Sequence, residues 1–273
     1  MKVEKLSTVP FETLIDCFLK SFENYYVPLS TDPEYYRNRW NAANVRYDLS
    51  YGMFDEGKLV GFIINAIDSR NGHTTAFNTG TGVIPDYRGK QIVKTIYDYA
   101  LPDLKNNGVT KCSLEVIQEN TKAKHVYETI GFKINKEYRC FKGHVTPSSE
   151  IPVELEEHNL SEIEWELLPN QSFYSWDNHQ NTIKKGNYKY YSVETNDGPK
   201  GYFIINPTNG YIAQINAMNT TEDAWNGLFN GVKQVAETIT INNVDSRLQE
   251  KIKQIQAAGL THTVDQFEME LFF

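Results

Sequence analysis

Residues 82–93 combine the residue types that bind a pyrophosphate. The segment reads Gly-Val-Ile-Pro-Asp-Tyr-Arg-Gly-Lys-Gln-Ile-Val, so that a predicted strand ends, a short loop turns and a predicted helix begins. Such a turn presents backbone N–H groups and the positive end of a helix dipole to an anion. Arg88 and Lys90 add positive charge. The segment therefore predicts pyrophosphate binding, and an ordinary basic strand-to-helix turn is the alternative.

A second segment, residues 120–132, has the spacing N-x-x-A-x-x-x-Y-x-x-x-G-F. Asn120 is a natural N-cap for a helix, and Gly131 stands where a C′ glycine ends one. Tyr127 lies on the apolar stripe of this predicted helix together with Ala123. A core aromatic residue is therefore the structural alternative to a chemical role for Tyr127.

The two segments, in this order and at this separation, make residues 1–143 resemble the GNAT superfamily of N-acetyltransferases. The resemblance implies acetyl-CoA as co-substrate, no metal, and direct transfer of the acetyl group to a primary amine without a covalent intermediate. The chain is most similar to a bacterial subgroup with a second, degenerate GNAT-like half. The implied fold class is α/β (α+β), with two tandem GNAT-like domains. Each would be a mixed, mostly antiparallel twisted sheet flanked by helices.

The resemblance also implies roles for individual residues. The backbone N–H groups of residues 88–93 would bind the pyrophosphate, and the backbone of residues 82–84 would pair with the pantetheine arm as an added strand does. Asn120 would hydrogen-bond that arm. Tyr127 would protonate the departing thiolate, as a phenol with a pKa of about 10 can do. The implied cofactor-binding residues are Gly82, Val83, Ile84, Arg88, Gly89, Lys90, Gln91, Ile92, Val93 and Asn120.

The general base and the acceptor pocket are marked less clearly. An amine must be neutral to attack a thioester, so a carboxylate or a water chain would take its proton. Glu115 is the obvious acid on the adjacent predicted strand, although an exposed strand glutamate is the more frequent explanation. The N-terminal helices build the acceptor pocket in the GNAT fold, and Tyr25 and Tyr26 in the loop between them are expected to line it. Surface or core tyrosines are equally consistent with the sequence.

The phosphate loop departs from the family pattern at two positions. The family loop reads R-G-x-G-x-G or R-G-x-G-x-A, whereas Gln91 and Val93 replace the small residues here. Glycine lets a backbone approach a phosphate closely. Gln91 fits if its side chain points away, and Val93 would then pack inward. The departure supports an alternative function, a non-catalytic acyl-CoA-binding sensor or interaction module. An unrelated two-domain α/β binding protein would require both motifs to be accidental.

The elements that must position these residues follow from periodicity. Apolar residues at helical spacing predict helices at 11–22, 33–40 and about 89–104. Asn71-Gly72 predicts a tight hairpin, because both residues tolerate positive φ. The buried face of the third helix is predicted to carry Ile92, Ile96, Ala100 and Leu104.

The second half of the chain repeats this order of elements. Residues 201–206 (Gly-Tyr-Phe-Ile-Ile-Asn) echo residues 61–65 (Gly-Phe-Ile-Ile-Asn), each after a turn, and each is followed by an Asn-Gly pair. An internal duplication is predicted, and chance similarity between two α/β segments is the alternative. Ser246-x-x-Gln249 predicts a capping box for the last helix.

Aligning Gly131 with Gly259 places Ile255 opposite Tyr127 and Leu248 opposite Asn120. Neither replacement can perform the polar role of its counterpart. The expected phosphate loop of the second half contains no Lys or Arg. The second half is therefore predicted to be a structural or substrate-shaping partner rather than a second active site.

Composition and charge limit the possible partners. The chain has 273 residues, 40% of them hydrophobic, a net charge of −8 and a pI of 5.3, which argues against nucleic-acid binding. Residues 1–145 hold 19 Lys and Arg against 17 Asp and Glu, a net charge of +2, whereas residues 146–273 hold 8 against 18, a net charge of −10. The first half is therefore the electrostatic candidate for a polyanionic cofactor. The two prolines and two serines of 146–152 predict a linker between domains 1–145 and 153–273.

Three widely spaced cysteines, scattered histidines and the lack of a membrane-length apolar segment complete the sequence evidence. They predict a cytoplasmic protein without a metal site and without membrane or nucleic-acid partners. The acceptor is expected to be a small-molecule or peptide amine. Its identity stays open, as does the oligomeric state, monomer or homodimer.

Overall fold

The computed structural model describes all residues, 1–273, and contains seven α-helices and twelve strands. The helices are α1 (Phe11–Ser21), α2 (Pro33–Ala43), α3 (Ile92–Asn106), α4 (Thr121–Ile130), α5 (Gln180–Ile183), α6 (Glu222–Val235) and α7 (Gln249–Ala257). The strands are β1 (Lys2–Lys5), β2 (Tyr51–Asp55), β3 (Lys58–Arg70), β4 (His73–Val83), β5 (Lys111–Ile117), β6 (Lys133–His144), β7 (Glu154–His158), β8 (Lys189–Thr195), β9 (Gly198–Asn206), β10 (Tyr211–Ala217), β11 (Thr238–Asp245) and β12 (Thr261–Phe272).

The chain divides into two compact units whose limits differ from the predicted domain limits. Unit 1 comprises Met1–Asn135 and Phe267–Phe273, and unit 2 comprises Lys136–Gln266. The predicted limits at 145 and 153 followed the prolines. Strand pairing fixes the limits of the units instead, because most of β6 pairs with β11 and the chain end packs in unit 1.

In unit 1, strands β1, β2, β3, β4 and β5 lie side by side in that order, and the C-terminal residues of β12 follow β5. The pairs β1–β2, β2–β3 and β3–β4 are antiparallel, and the pair β4–β5 is parallel, with α3 as the crossover that connects its two strands. The predicted hairpin is confirmed, since Asn71 and Gly72 have φ of 51° and 79° between β3 and β4.

Helices α1 to α4 pack around this sheet through a single apolar core that includes Trp40, Tyr51, Phe62 and Met269. The predicted stripe of α3 is confirmed, because Ile92, Ile96, Ala100 and Leu104 are all buried. The helix begins three residues later than predicted, at Ile92, since Gly89 and Gln91 have positive φ.

In unit 2 the strand order is β6, β11, β10, β9, β8 and β7, with β10 and β11 parallel and α6 between them. A core of apolar side chains from β9, β10, β11, α6 and α7 fills this unit. The predicted capping box is wrong: α7 begins at Gln249 with Leu248 as its N-cap, and Gln249 instead donates to the Ser246 carbonyl.

No helix in the structure combines the length and the apolar character that crossing a membrane requires.

Candidate active site

The site begins with a split between the parallel strands β4 and β5. Their registered pairs end at Asn78 and Leu114, although β4 continues to Val83 and β5 to Ile117. A bulge at Thr79 shifts the register of β4 against β3 just where the pairing with β5 ends. A bulge bends and twists the strand that carries it. The last residues of β4 thus lack a strand partner on the β5 side, where an extended ligand can add itself to the sheet.

The backbone N–H and C=O groups of successive residues in β4 face alternately towards β3 and towards the split. The N–H of Ile84 donates to the carbonyl of Val60 at 3.1 Å, so this group is already used within the sheet. Backbone groups of neighbouring residues on a strand point to opposite sides, and therefore those of Thr81 and Val83 point away from β3. Of the predicted residues 82–84, only Val83 therefore has backbone groups that face the split and could pair with a pantetheine arm.

The loop after β4 has the backbone geometry of an anion site. A 3-10 turn, Pro85–Tyr87, leads to Gly89 at φ 77° and Gln91 at φ 55°. Gln91 is the N-cap of α3 but makes no side-chain capping hydrogen bond. The first N–H groups of a helix have no intrahelical acceptor. The start of α3 can thus donate them to a bound anion.

Both departures from the family pattern have a local explanation. A positive φ suits glycine best, and Gln91 adopts it with an exposed side chain. Val93 is partly buried and packs against the core of unit 1. Neither side chain therefore covers the N–H groups at the start of α3.

The two basic residues of the loop differ in their contacts. Arg88 donates from Nε to the carbonyl of Val83 at 3.3 Å and from Nη2 to the carbonyl of Ser21 at 3.1 Å. It thereby ties the loop to the ends of β4 and α1. Lys90 lies 4.4 Å above the ring of Tyr87 and is exposed. Lys90 is the freer of the two charges to meet an anion.

Tyr127 lies at the mouth of the split. Helix α4 presents it between the N-cap Asn120, whose Oδ1 accepts from the N–H of Ala123 at 3.2 Å, and Gly131, whose φ is 116°. The Tyr127 side chain is 8% exposed and hydrogen-bonds the Thr81 hydroxyl. Burial raises the pKa of Tyr127 to about 12, the Thr81 hydrogen bond lowers it, and the nearby Tyr25 raises it. Tyr127 is thus a neutral phenol at physiological pH.

Three polar residues that the sequence did not single out support Tyr127. Asn78 donates from Nδ2 to the hydroxyl of Tyr97 at 2.6 Å and also to the hydroxyl of Thr81. Tyr97 is buried, and burial raises its pKa well above its usual value. The alternation Gly80-Thr81-Gly82 at the end of β4 was the only sequence signal for this network.

Of the two predicted acceptor tyrosines, the structure brings one to the site. Tyr25 hydrogen-bonds Asn120; burial raises the Tyr25 pKa and this bond lowers it. Its proximity to Tyr127 contributes to the raised pKa there. Tyr26 stacks edge-on against Tyr25 with ring centroids 5.4 Å apart, and it is 55% exposed. Tyr25 therefore borders the site and Tyr26 lies at its rim.

Glu115 is partly buried on β5, one position beyond the last pair with β4. Cys112, Leu114 and Val116 pack in the core cluster that includes Tyr127. Side chains alternate along a strand, so Glu115 points to the other face of the sheet. A base role for Glu115 stays a prediction. No group of three or more His, Cys, Asp and Glu side chains is placed to hold a metal ion.

Unit 2 repeats the backbone of this site. Its β9–β10 pairing has three registered pairs after the Gly201–Ala217 pair and then a bulge at Ala213, as β3–β4 has after Gly61–Val83 before Thr79. By this register, Ile212 and Ile215 occupy the positions of Asn78 and Thr81. Leu260 donates to the carbonyl of Ile255 as Phe132 donates to that of Tyr127.

The split of unit 2 lies between the parallel strands β10 and β11, whose registered pair is Tyr211–Thr240. The chain itself fills this split through the segment 170–178, called the filling segment below. Gln171 exchanges side-chain hydrogen bonds with Gln214, and Asn178 donates from Nδ2 to the carbonyl of Asn242. The hydroxyl of Tyr174 hydrogen-bonds the backbone of Ile215, the residue that corresponds to Thr81. The segment thus occupies the position of an added ligand strand.

Comparison with known proteins agrees with this geometry. Residues 12–132 match the family model described as the acetyltransferase (GNAT) family, and the first unit therefore contains a GNAT-family domain. The comparison with curated proteins finds no match.

Solved structures extend the likeness to the whole chain. The tandem GNAT protein from the clavulanic acid biosynthesis pathway is 10% identical, with a TM-score of 0.70 over 99% of this chain and 98% of that one. The GCN5-related N-acetyltransferase from Sphaerobacter thermophilus is 9% identical, with a TM-score of 0.68 over 99% and 95%. That from Kribbella flavida is 13% identical, with a TM-score of 0.62 over 99% and 71%. The fold is therefore a tandem GNAT fold, as the resemblance implied.

Proposed function

We propose that unit 1 is the catalytic domain, which transfers an acetyl group from acetyl-CoA to a primary amine of a small molecule or peptide, and that unit 2 is its degenerate partner. The observation that carries the proposal is the unpaired end of β4, flanked by the buried phenol of Tyr127 on one side and the uncapped start of α3 on the other. An extended anionic thioester matches both ends of this arrangement.

The donor would lie along β4. Its pantetheine arm would pair with Val83 and displace the long hydrogen bond of 3.3 Å that Arg88 makes to the Val83 carbonyl. Its pyrophosphate would accept hydrogen bonds from the N–H groups of residues 89–93, with Lys90 as counter-charge. The predicted range began at residue 88, but the N–H of Arg88 already donates to the carbonyl of Pro85 at 3.1 Å. Both contacts use backbone groups, so they tolerate Gln91 and Val93.

The chemistry would be a direct displacement. The amine nitrogen attacks the thioester carbonyl carbon, a C–N bond forms and the C–S bond breaks, and the amine proton passes to a carboxylate or water. A phenol with a pKa of about 12 is a weaker acid than a thiol, whose pKa is about 8.5. We therefore assign Tyr127 the donation of a hydrogen bond to the developing thiolate, rather than a completed proton transfer.

Calorimetric titration with acetyl-CoA tests the donor site. We expect the wild type to bind and Lys90→Glu to bind roughly tenfold more weakly, because the reversed charge faces the pyrophosphate. Lys105→Glu is the matched control, because Lys105 is also exposed but lies in the last turn of α3. Equal weakening by both variants would indicate a long-range charge effect and no site at the loop.

Thiol release under a panel of amines separates the enzyme from the alternative function. Release that depends on an added amine supports acetyl transfer. Binding of acetyl-CoA without release under any amine would favour the non-catalytic acyl-CoA-binding sensor. No binding by the wild type would remove both functions.

A further inference from the structure

Unit 2 contains a small cavity where its β10–β11 split would otherwise open. It is lined by β10 and β11, by Tyr174 of the filling segment and by the first turn of α7, including Lys251. The cavity leaves about 20 Å³ for the centre of a water-sized sphere. One water needs roughly 10–15 Å³ by the same measure, so there is room for a small solute.

Lys251 brings an amine to this cavity without an acidic partner. The residue is 6% exposed, and its Nζ has one polar contact, the hydroxyl of Tyr174 at 3.5 Å. It also lies 5.3 Å from the centroid of the Tyr174 ring. Burial lowers the pKa of Lys251 to about 7. The amine therefore loses its proton more readily than an exposed lysine does, and its ammonium form has no ion-pair partner inside the protein.

The other charged side chain lining the cavity is Asp245, and it is already paired. Arg247 holds both carboxylate oxygens of Asp245, at 2.8 and 2.6 Å. Tyr174 in turn hydrogen-bonds Tyr202, so its hydroxyl is shared between neighbours. Lys251 is therefore the one lining group whose charge lacks a partner.

A buried ammonium without a counter-ion is costly, and a protein resolves the cost by deprotonation or by an ion pair. We propose that this cavity is an anion site of unit 2, in which a small monovalent anion such as chloride or formate pairs with the Lys251 ammonium and accepts a hydrogen bond from Tyr174. The ligand is monovalent because the site offers one unpaired positive charge, and it is small because the cavity holds little more than one water. In the proposed function, the split of unit 1 binds the pyrophosphate of acetyl-CoA at its rim. The corresponding split of unit 2 would bind a small anion instead.

The test follows the ionisation of Lys251 itself, in full-length protein whose lysine side chains carry ¹³C at Cε. The Lys251 resonance is assigned by its loss in Lys251→Met, which keeps the length of the side chain. An anion that binds only the protonated form of Lys251 raises the midpoint of its titration by the logarithm of 1 + [anion]/Kd. This rise is about one pH unit when the anion concentration is ten times Kd. We expect this rise with formate or chloride at constant ionic strength, balanced by sulfate, which is divalent and larger.

Control residues make the result specific. Lys253 lies on the same helix but is exposed, and its midpoint should not move with either anion. A rise with formate alone would identify a carboxylate site, and a rise with chloride alone a halide site. A Lys251 midpoint that is unchanged by both anions, or that moves no more than the Lys253 midpoint, would overturn the proposal and leave the cavity to water.

Discussion

The two splits share one backbone design and differ in what lines them. Where unit 1 has the hydrogen-bonded side chains of Asn78, Thr81 and Tyr127, unit 2 has three buried isoleucines at the corresponding positions, Ile212, Ile215 and Ile255. A buried hydroxyl or amide without a partner is costly, whereas a complete polar set or a complete apolar set is not. All three positions are polar in unit 1 and apolar in unit 2, so the hydrogen-bonded set is present as a whole in one split and absent as a whole from the other.

The N-terminus of α3 in unit 1 and that of α6 in unit 2 also differ in whether their N–H groups are already capped. In α6, the Thr221 hydroxyl caps the N–H of Ala224 at 3.3 Å, and the first turn carries Glu222 and Asp223. Lys200 pairs with Asp223 at 2.6 Å. The positive end of the α6 dipole is thus satisfied by its own chain, whereas that of α3 has no side-chain cap. An uncapped start suits a helix that receives an anionic ligand.

The largest effect is expected from removing the phenol that distinguishes the two splits. Tyr127→Phe should lower kcat for amine acetylation about 10²–10³-fold, the usual effect of removing a donor to a developing charge, with little change in acetyl-CoA affinity. Steady-state thiol release and calorimetry measure the two quantities. Tyr99→Phe, an exposed tyrosine on α3, is the control. An unchanged kcat would make Tyr127 a core packing residue, as its counterpart Ile255 is.

The next effect concerns the C-terminal residues of β12, which pack in the core of unit 1 beside the strand β5 that borders the split. Met269 of β12 is fully buried in the core of unit 1, and Lys111 of β5 pairs with Glu270 at 2.7 Å. Met269→Ala should therefore lower the free energy of unfolding by roughly 2–5 kcal/mol, measured by urea unfolding. Met218→Ala, at a methionine that is 63% exposed in unit 2, should change it by less than about 0.5 kcal/mol. Similar effects of the two changes would mean that the chain end contributes little to unit 1.

Much of this comparison could be predicted from the sequence. The Asn71-Gly72 turn, the stripe of α3 and the match of Ile255 to Tyr127 all rest on local spacing. The path of the last strand could not be predicted, because alternation in residues 267–273 reveals a buried face but not the sheet that it joins. The Thr81–Tyr127 contact was also hidden, since it joins residues far apart in sequence. The domain limits at 145 and 153, which rest on the prolines of the linker, stay a prediction, and the compact units divide the chain elsewhere.

The third effect is a pH dependence of protein stability that arises from Lys251 in the split of unit 2. The pKa of Lys251 is lowered by burial to about 7, against about 10.4 in an unfolded chain. Between these values the unfolded chain binds more protons, so stability should rise with pH, by up to about 1.4 kcal/mol per unit. Urea unfolding in buffer free of small anions should show this rise in the wild type and in Lys253→Met, but not in Lys251→Met. Parallel curves for all three proteins would mean that Lys251 reaches solvent.

The smallest effect tests whether Thr81 positions Tyr127. Thr81→Val keeps the shape of the side chain and removes the hydroxyl, and the loss of about one hydrogen bond should lower kcat roughly tenfold at unchanged KM for acetyl-CoA. Thr81→Ser should restore the rate. Thr129→Val, which removes an exposed hydroxyl bonded to the His125 carbonyl on α4, should leave kcat unchanged.

The pH dependence of the Thr81→Val defect distinguishes positioning from a change of ionisation. The Thr81 hydrogen bond lowers the pKa of Tyr127, which burial raises to about 12. Its loss therefore moves that pKa further up, and Tyr127 stays neutral in both proteins between about pH 6 and pH 9. The ratio of the two kcat values should accordingly be constant over this range. A ratio that changed with pH would show that Thr81 affects a titrating group other than Tyr127. Thr81 would then do more than hold the Tyr127 phenol in position.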